Sequence, residues 1–140
     1  MTLRLVPFKG SHLKNFEVQP WQQEEFLNQP CADERIGESW TAYDGEKEVV
    51  SAGIVQLWEG RAYVWALLSV HAARHMLEIT RIIKLGLDTS PYSRIEMYVD
   101  ERFEQGQRWA EMLGFEKETE KPMRNYLPGG RGAYLYARVK

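Results

Sequence analysis

The chain is poor in the residues that most often announce chemistry. One cysteine, Cys31, stands among 140 residues, so no internal disulfide can form, and with three histidines there is no Cys-x-x-Cys pair or Cys/His cluster spaced to cage a metal. An excess of either charge is also missing. Eighteen Lys and Arg against twenty Asp and Glu leave a net charge of −2, without the basic surplus that neutralising a phosphate backbone needs, which argues against nucleic acid as the main partner. No apolar run approaches the roughly 20 residues that span a bilayer, so no membrane partner is expected. The start, Met1-Thr2-Leu3-Arg4-Leu5-Val6-Pro7, runs into a strand-like pattern instead of an export signal. These absences lead to the expectation of a soluble, cytoplasmic protein in a reducing compartment. There is no repeat, linker or low-complexity tract, and the length suits one domain over residues 1–140.

What is present is patterned. Leu3 and Leu5 alternate with polar neighbours and stop at Pro7, a short first strand that Lys9-Gly10-Ser11 ends. Ser11 is placed to cap a helix, and Leu13, Phe16, Trp21, Phe26 and Leu27 have helical spacings that Pro20 interrupts, so two short helices are predicted between His12 and Pro30. Further on, the runs 39–43, 49–58 and 61–68 are separated by Asp44-Gly45 and Glu59-Gly60, both strong turn signals, and predict a three-strand antiparallel meander. The run 61–68 is apolar on both faces, as a covered central strand is. Met76, Ile79, Ile82, Ile83 and Leu87 recur at helical spacing between Ala72 and Asp88. Ile95, Met97 and Val99 share one face of a strand over 94–99. A second helix turns Phe103, Gly106, Ala110 and Leu113 inward and ends at Gly114, and a final hairpin through residues 127–132 leads into a strand over 133–139.

That order of elements, with the run from Val99 through Asp100-Glu101-Arg102 to Leu113-Gly114-Phe115, resembles the GNAT superfamily of N-acetyltransferases along nearly the whole chain. The resemblance implies a single-domain α+β fold, layered α/β/α, on a mixed, mostly antiparallel sheet with a splayed central strand pair. The splay would lie between the strands at 61–68 and 94–99, where the pantetheine arm of acetyl-CoA would pair with exposed backbone. It places cofactor contacts at Leu68, Ser69 and Val70 and at the helix start Arg74, His75, Met76 and Leu77. Helix-terminal amides there would hold the pyrophosphate.

The residues depart from the superfamily pattern at several points. Arg74 takes the first place of the pyrophosphate motif, but Leu77 and Ile79 stand where small residues allow close approach, and the bland alternative is a plain helix start packed on the sheet. The tyrosine expected four residues before the helix-ending glycine is Ala110, which can do no acid chemistry. The neighbouring Trp109 offers only an indole donor and reads as core or groove lining. There is no carboxylate between Arg61 and Leu68 to act as base. The weak candidates are His71, whose ordinary pKa lies nearest neutrality, and Asp100 on the next strand; a solvated loop histidine is the plainer reading of the first. Cys31 has no His or acid placed beside it by a motif, so an incidental thiol is expected. Trp40, Trp58, Tyr63, Trp65, Tyr134 and Tyr136 alternate along strands without accompanying basic residues, which favours core and groove lining over base stacking. Gly129-Gly130-Arg131-Gly132 lacks the P-loop context and reads as a turn.

The Trp-rich meander 51–68, Tyr98-Val99-Asp100-Glu101-Arg102, and Arg108-Trp109 before Leu113-Gly114-Phe115 are similar to the small GNAT-like proteins of tailed bacteriophages and prophages, including the internal virion protein A group. Phe103 departs from that pattern, where asparagine is common, and puts a polar cofactor contact in doubt. The resemblance implies acyl transfer to a small-molecule or protein amine in the host cytoplasm. Alternatively, the fold is kept as a catalytically inactive structural or host-interaction module with a phage or host protein as partner, with the virion as a further location. A homodimer through C-terminal strands is a further expectation.

Overall fold

The computed structural model describes residues 3–23 and 38–140. Cys31 and the Phe26, Leu27 and Pro30 end of the weak helical pattern lie outside the described residues. The first strand, β1 (Arg4–Pro7), forms as the alternation predicts. Short 3-10 turns come next, at Gly10–Leu13 and at Pro20–Gln22. Ser11 sits inside the first of these turns and Lys9 takes the cap position, so the expected Ser11 cap is not made.

The meander is β2 (Ser39–Asp44), β3 (Lys47–Trp58) and β4 (Arg61–Leu68). Its two connections are two-residue hairpins closed at Asp44↔Lys47 and Trp58↔Arg61. Gly45 and Gly60 supply the positive φ values these turns demand, +63° and +91°. Val49, Val50 and Val55 in β3 and Ala62 and Leu67 in β4 are almost wholly buried, which accounts for the apolar content of both strands. Each large aliphatic side chain so buried contributes about 1.5–3 kcal/mol.

After a 3-10 turn at Ala73–His75 comes α1 (Met76–Thr89), which buries Ile79 and Leu87 and packs Met76 and Ile83 on the core. Ser90 leaves it in an extended conformation, as a residue before proline does. The strand β5 (Arg94–Asp100) and the helix α2 (Glu104–Met112) complete this part of the chain. The end of α2 explains the Leu-Gly-Phe signature. Gly114 has φ +93°, its N–H donates to the Glu111 carbonyl at 3.0 Å, and the Phe115 N–H donates to the Ala110 carbonyl at 3.0 Å. This is the paired closure that only a left-handed residue permits, with Ala110 and Phe115 in one apolar cluster.

The chain ends with β6 (Glu116–Lys117) and β7 (Ala133–Val139). The expected final hairpin is irregular: β7 meets β6 over two residues, and a bridge from Met123 to Ala133 closes the loop containing the turn at 128–130. Among the described residues seven strands form one sheet in the order β1-β2-β3-β4-β5-β7-β6, antiparallel except for β4 against β5. Ile54 and Val64 in the meander and Ile95, Met97 and Val99 in β5 pack with the side chains of α1 and α2. Phe8 and Leu13 instead pack with Val55, Tyr63 and Trp65, whose places in the strands put them on the opposite face.

Candidate functional site

The parallel pair is where the sheet opens. β4 and β5 are in register only at Arg61↔Arg94, Ala62↔Ile95 and Tyr63↔Glu96, and beyond that the strands part. The closed end is strapped by charge. Arg61 grips Glu96 with two hydrogen bonds, Nε to Oε2 at 2.9 Å and Nη2 to Oε1 at 2.8 Å, while Arg94 bridges Glu96 to Glu118. The hydrogen bonds from Arg61, seconded by Arg94, hold the Glu96 carboxyl below the usual carboxylate range against the opposing effect of its burial. Glu96 is therefore a fixed anion of the strap and not a proton acceptor near neutral pH.

Past the strap lies a cavity of about 370 Å³ whose wall includes Tyr63, Trp65, Tyr98, Phe103, Trp109 and Tyr126. Trp109 lines it as expected. Its indole N–H donates to Thr80 Oγ1 at 2.8 Å, so the ring ties α2 to α1 and has no spare proton. Ala110 is fully buried against the sheet.

The β4 edge facing the slot is met by the chain's own residues 17–22. The Val70 N–H donates to the Glu17 carbonyl at 2.9 Å, and the Gln19 N–H donates to the Leu68 carbonyl at 2.9 Å, around a Val18↔Ser69 bridge. One turn on, Gln22 Nε2 donates to the Ala66 carbonyl at 2.7 Å, and the Leu68 N–H donates to Gln22 Oε1 at 3.0 Å. Trp21 stacks on Phe103 with ring centres 5.3 Å apart and planes 19° from parallel. These residues are the part of the site that sequence reasoning missed, because Pro20-Trp21-Gln22 carries no motif.

The expected site residues fall into two groups. Leu68, Phe103 and Asp100 line the cavity. Asp100 is buried, accepts from the Arg102 N–H at 2.9 Å and pairs with Arg131 Nε at 2.6 Å. The others lie away from its wall. Ser69 is buried, with its hydroxyl donating to the Glu48 carbonyl, and Val70 is exposed. His71 reaches Glu17 at 3.3 Å. His75 is buried beside Asp44 Oδ2 at 3.0 Å. Met76 packs on the core, Arg74 is exposed, and Leu77 is 66% exposed. Several amides of this loop are already used: those of His71 and Ala72 donate to Ser69, and those of His75 and Met76 to carbonyls three residues back.

The slot and the loop thus differ in what occupies them: backbone and Ser69 groups take the loop's amides, while a single side chain, Gln22, takes the Ala66 carbonyl and the Leu68 N–H at the slot. Among the described residues no group of His, Cys, Asp and Glu could hold a metal, and no helix is long and apolar enough to cross a membrane.

No protein-family model matches the chain, and no curated protein matches it in sequence. Solved structures do match. The ribosomal-protein-S18-alanine N-acetyltransferase of Escherichia coli superimposes with a TM-score of 0.70 at 17% identity, over 99% of this chain and 94% of that one. An acetyltransferase of the GNAT family from Streptococcus pneumoniae gives 0.65 at 14% identity, over 99% of each chain. The fold is the GNAT fold. A Bacillus subtilis acetyltransferase solved in complex with CoA is similar to the same extent, with a TM-score of 0.66 at 10% identity over 99% of each chain. Like the sequence expectation, the observed GNAT fold is a single α+β domain on a mixed sheet with the strand pair splayed.

Proposed function

We propose that the protein is an N-acyltransferase that takes an acetyl group from acetyl-CoA and passes it to an amine. The observation that carries this reading is the slot. There β4 and β5 part beside an apolar cavity, and the β4 edge is held by a side-chain carboxamide, that of Gln22, whose place an extended amide-bearing ligand can take. The Ala66 carbonyl and the Leu68 N–H are the groups that would hold the pantetheine arm, with Phe103 and Trp109 as its apolar surround.

The thioester supplies an activated acyl carbon. The part of this chain is to bind and orient it and to exclude water. The acceptor approaches along the wall formed by Tyr63, Tyr98 and Tyr126. Its nitrogen bonds to the acyl carbon as the carbon–sulfur bond breaks, and the proton it sheds passes to water. A thiolate is a good enough leaving group to depart unprotonated, so the missing acid at Ala110 slows the step without forbidding it. Asp100 stands on the wall as a paired anion and acts by its charge. The test is release of free thiol from acetyl-CoA with a panel of alkyl, aryl and peptide amines. Release above hydrolysis with at least one amine is expected, and none with any amine contradicts the reading.

A second reading is favoured by one observation, the use of the β4 edge by residues 17–22. In it, the fold survives as a non-catalytic module for a phage or host protein. A phage or prophage origin belongs to both readings and rests on Arg108-Trp109 before Leu113-Gly114-Phe115. Under it the protein works in the host cytoplasm, or in the virion if it is the module.

A further inference from the structure

Gln22 treats the slot as a ligand would. Its carboxamide donates to the Ala66 carbonyl and accepts from the Leu68 N–H, the two groups, two residues apart on one strand edge, that the N–H of one amide and the C=O of the next in a bound extended chain would use. The orientation of the carboxamide is fixed by a second donor, because Gln19 Nε2 also points at Gln22 Oε1, at 3.2 Å. The neighbouring Trp21 lies on Phe103, itself part of the cavity wall, so the same short segment covers the slot with a ring and plugs its polar edge with an amide.

We propose that Gln22 is a latch that selects the acyl donor, an inference that rests on the acyl-CoA reading above. Opening the latch strips a carbonyl and an N–H of their partners, and leaving such groups unsatisfied costs more than the bonds themselves return. A donor whose arm carries secondary amides restores both bonds as it enters. A donor without amides, such as acetyl phosphate or a simple alkyl thioester, restores neither and meets a closed slot. The latch also lowers the apparent affinity for the right donor, since binding is weakened by the fraction of molecules that are open. Residues 17–19 pair with β4 through their own backbone and stay in place, so the moving part is Trp21-Gln22.

The test uses the full chain with Gln22→Ala and with Gln22→Met, which removes both hydrogen bonds while keeping most of the side-chain volume. CoA is titrated by calorimetry, and hydrogen exchange at the Leu68 amide is followed in ligand-free protein. Both variants are expected to bind CoA about fivefold to tenfold more tightly than the parent, as loss of a competing pair of ordinary hydrogen bonds implies. Their Leu68 amide is expected to exchange faster before ligand is added, and CoA is expected to restore its protection. Unchanged or weaker CoA binding in both variants overturns the latch and leaves the acyl-CoA reading standing. Failure of all three forms to bind CoA overturns both.

Discussion

At the scale of single residues, the wall of the slot is tuned by what is small. Gly106 faces the ring of Phe103 so closely that a Cβ there would lie 2.5 Å from Cδ2 and 3.0 Å from Val99 Cγ1. Gly106→Ala must displace the Phe103 ring, which stacks on Trp21 and lines the cavity. A loss of about 1–3 kcal/mol in denaturant unfolding is expected, together with weaker binding of CoA. Asp100 is tied rather than free, and its two oxygens serve different partners: Oδ1 takes the Arg102 N–H and Oδ2 faces Arg131. Asp100→Asn and Arg131→Gln are each expected to cost about 1–3 kcal/mol, and the double variant less than their sum, because they remove the same pair. Full additivity in urea unfolding would contradict the pairing. Such roles were only partly legible in the sequence. That position 110 offers no acid side chain could be read from the place of Ala110 before Leu-Gly-Phe, whereas nothing in Pro20-Trp21-Gln22 announced a side chain that bonds a strand edge.

At the scale of elements, legibility followed the locality of the cause. The stop of α2 is written in consecutive residues, because Gly114 alone can adopt the conformation that turns the Phe115 amide back to Ala110. The two meander turns are local for the same reason. The start of α1 is not: the helical spacing runs back to Ala72, but a 3-10 turn precedes Met76, and His75, which takes the cap position, makes no side-chain cap bond while its ring reaches Asp44, 31 residues away. The strap between β4 and β5 is equally non-local, joining Arg61, Arg94, Glu96 and Glu118. It makes a pH prediction. The folded-state pKa of Glu96 lies below its ordinary value of 4.5, so its contribution to stability is complete above that value and is lost as pH falls through the lower folded-state pKa. Glu96→Gln removes this contribution. Its unfolding free energy is expected to be lower at neutral pH and to fall less steeply between about pH 5 and pH 2 than that of the parent, and parallel acid profiles would contradict the strap.

At the scale of the whole molecule, the order of strands and helices was legible because each element carries its own period, and the splay was foreseen from the resemblance alone. No local pattern states that two parallel strands will part after three residues. The sheet parts at Tyr63 and Glu96, past the strap, and the two helices close over the gap through Trp109 and Thr80. The β7 strand lies inside the sheet between β5 and β6, and Tyr136 is wholly buried, which turns the C-terminal aromatics to the core.

The central proposal is that the parted strands form a slot for acyl-CoA. It is tested most directly by the melting temperature with and without acetyl-CoA. A ligand held only by the folded protein, at about a hundred times its dissociation constant, adds about 2.7 kcal/mol to stability. For a domain of this size that predicts a rise of roughly 5–10 °C. An unchanged melting temperature at millimolar acetyl-CoA, in the parent protein and in Gln22→Ala alike, would contradict it.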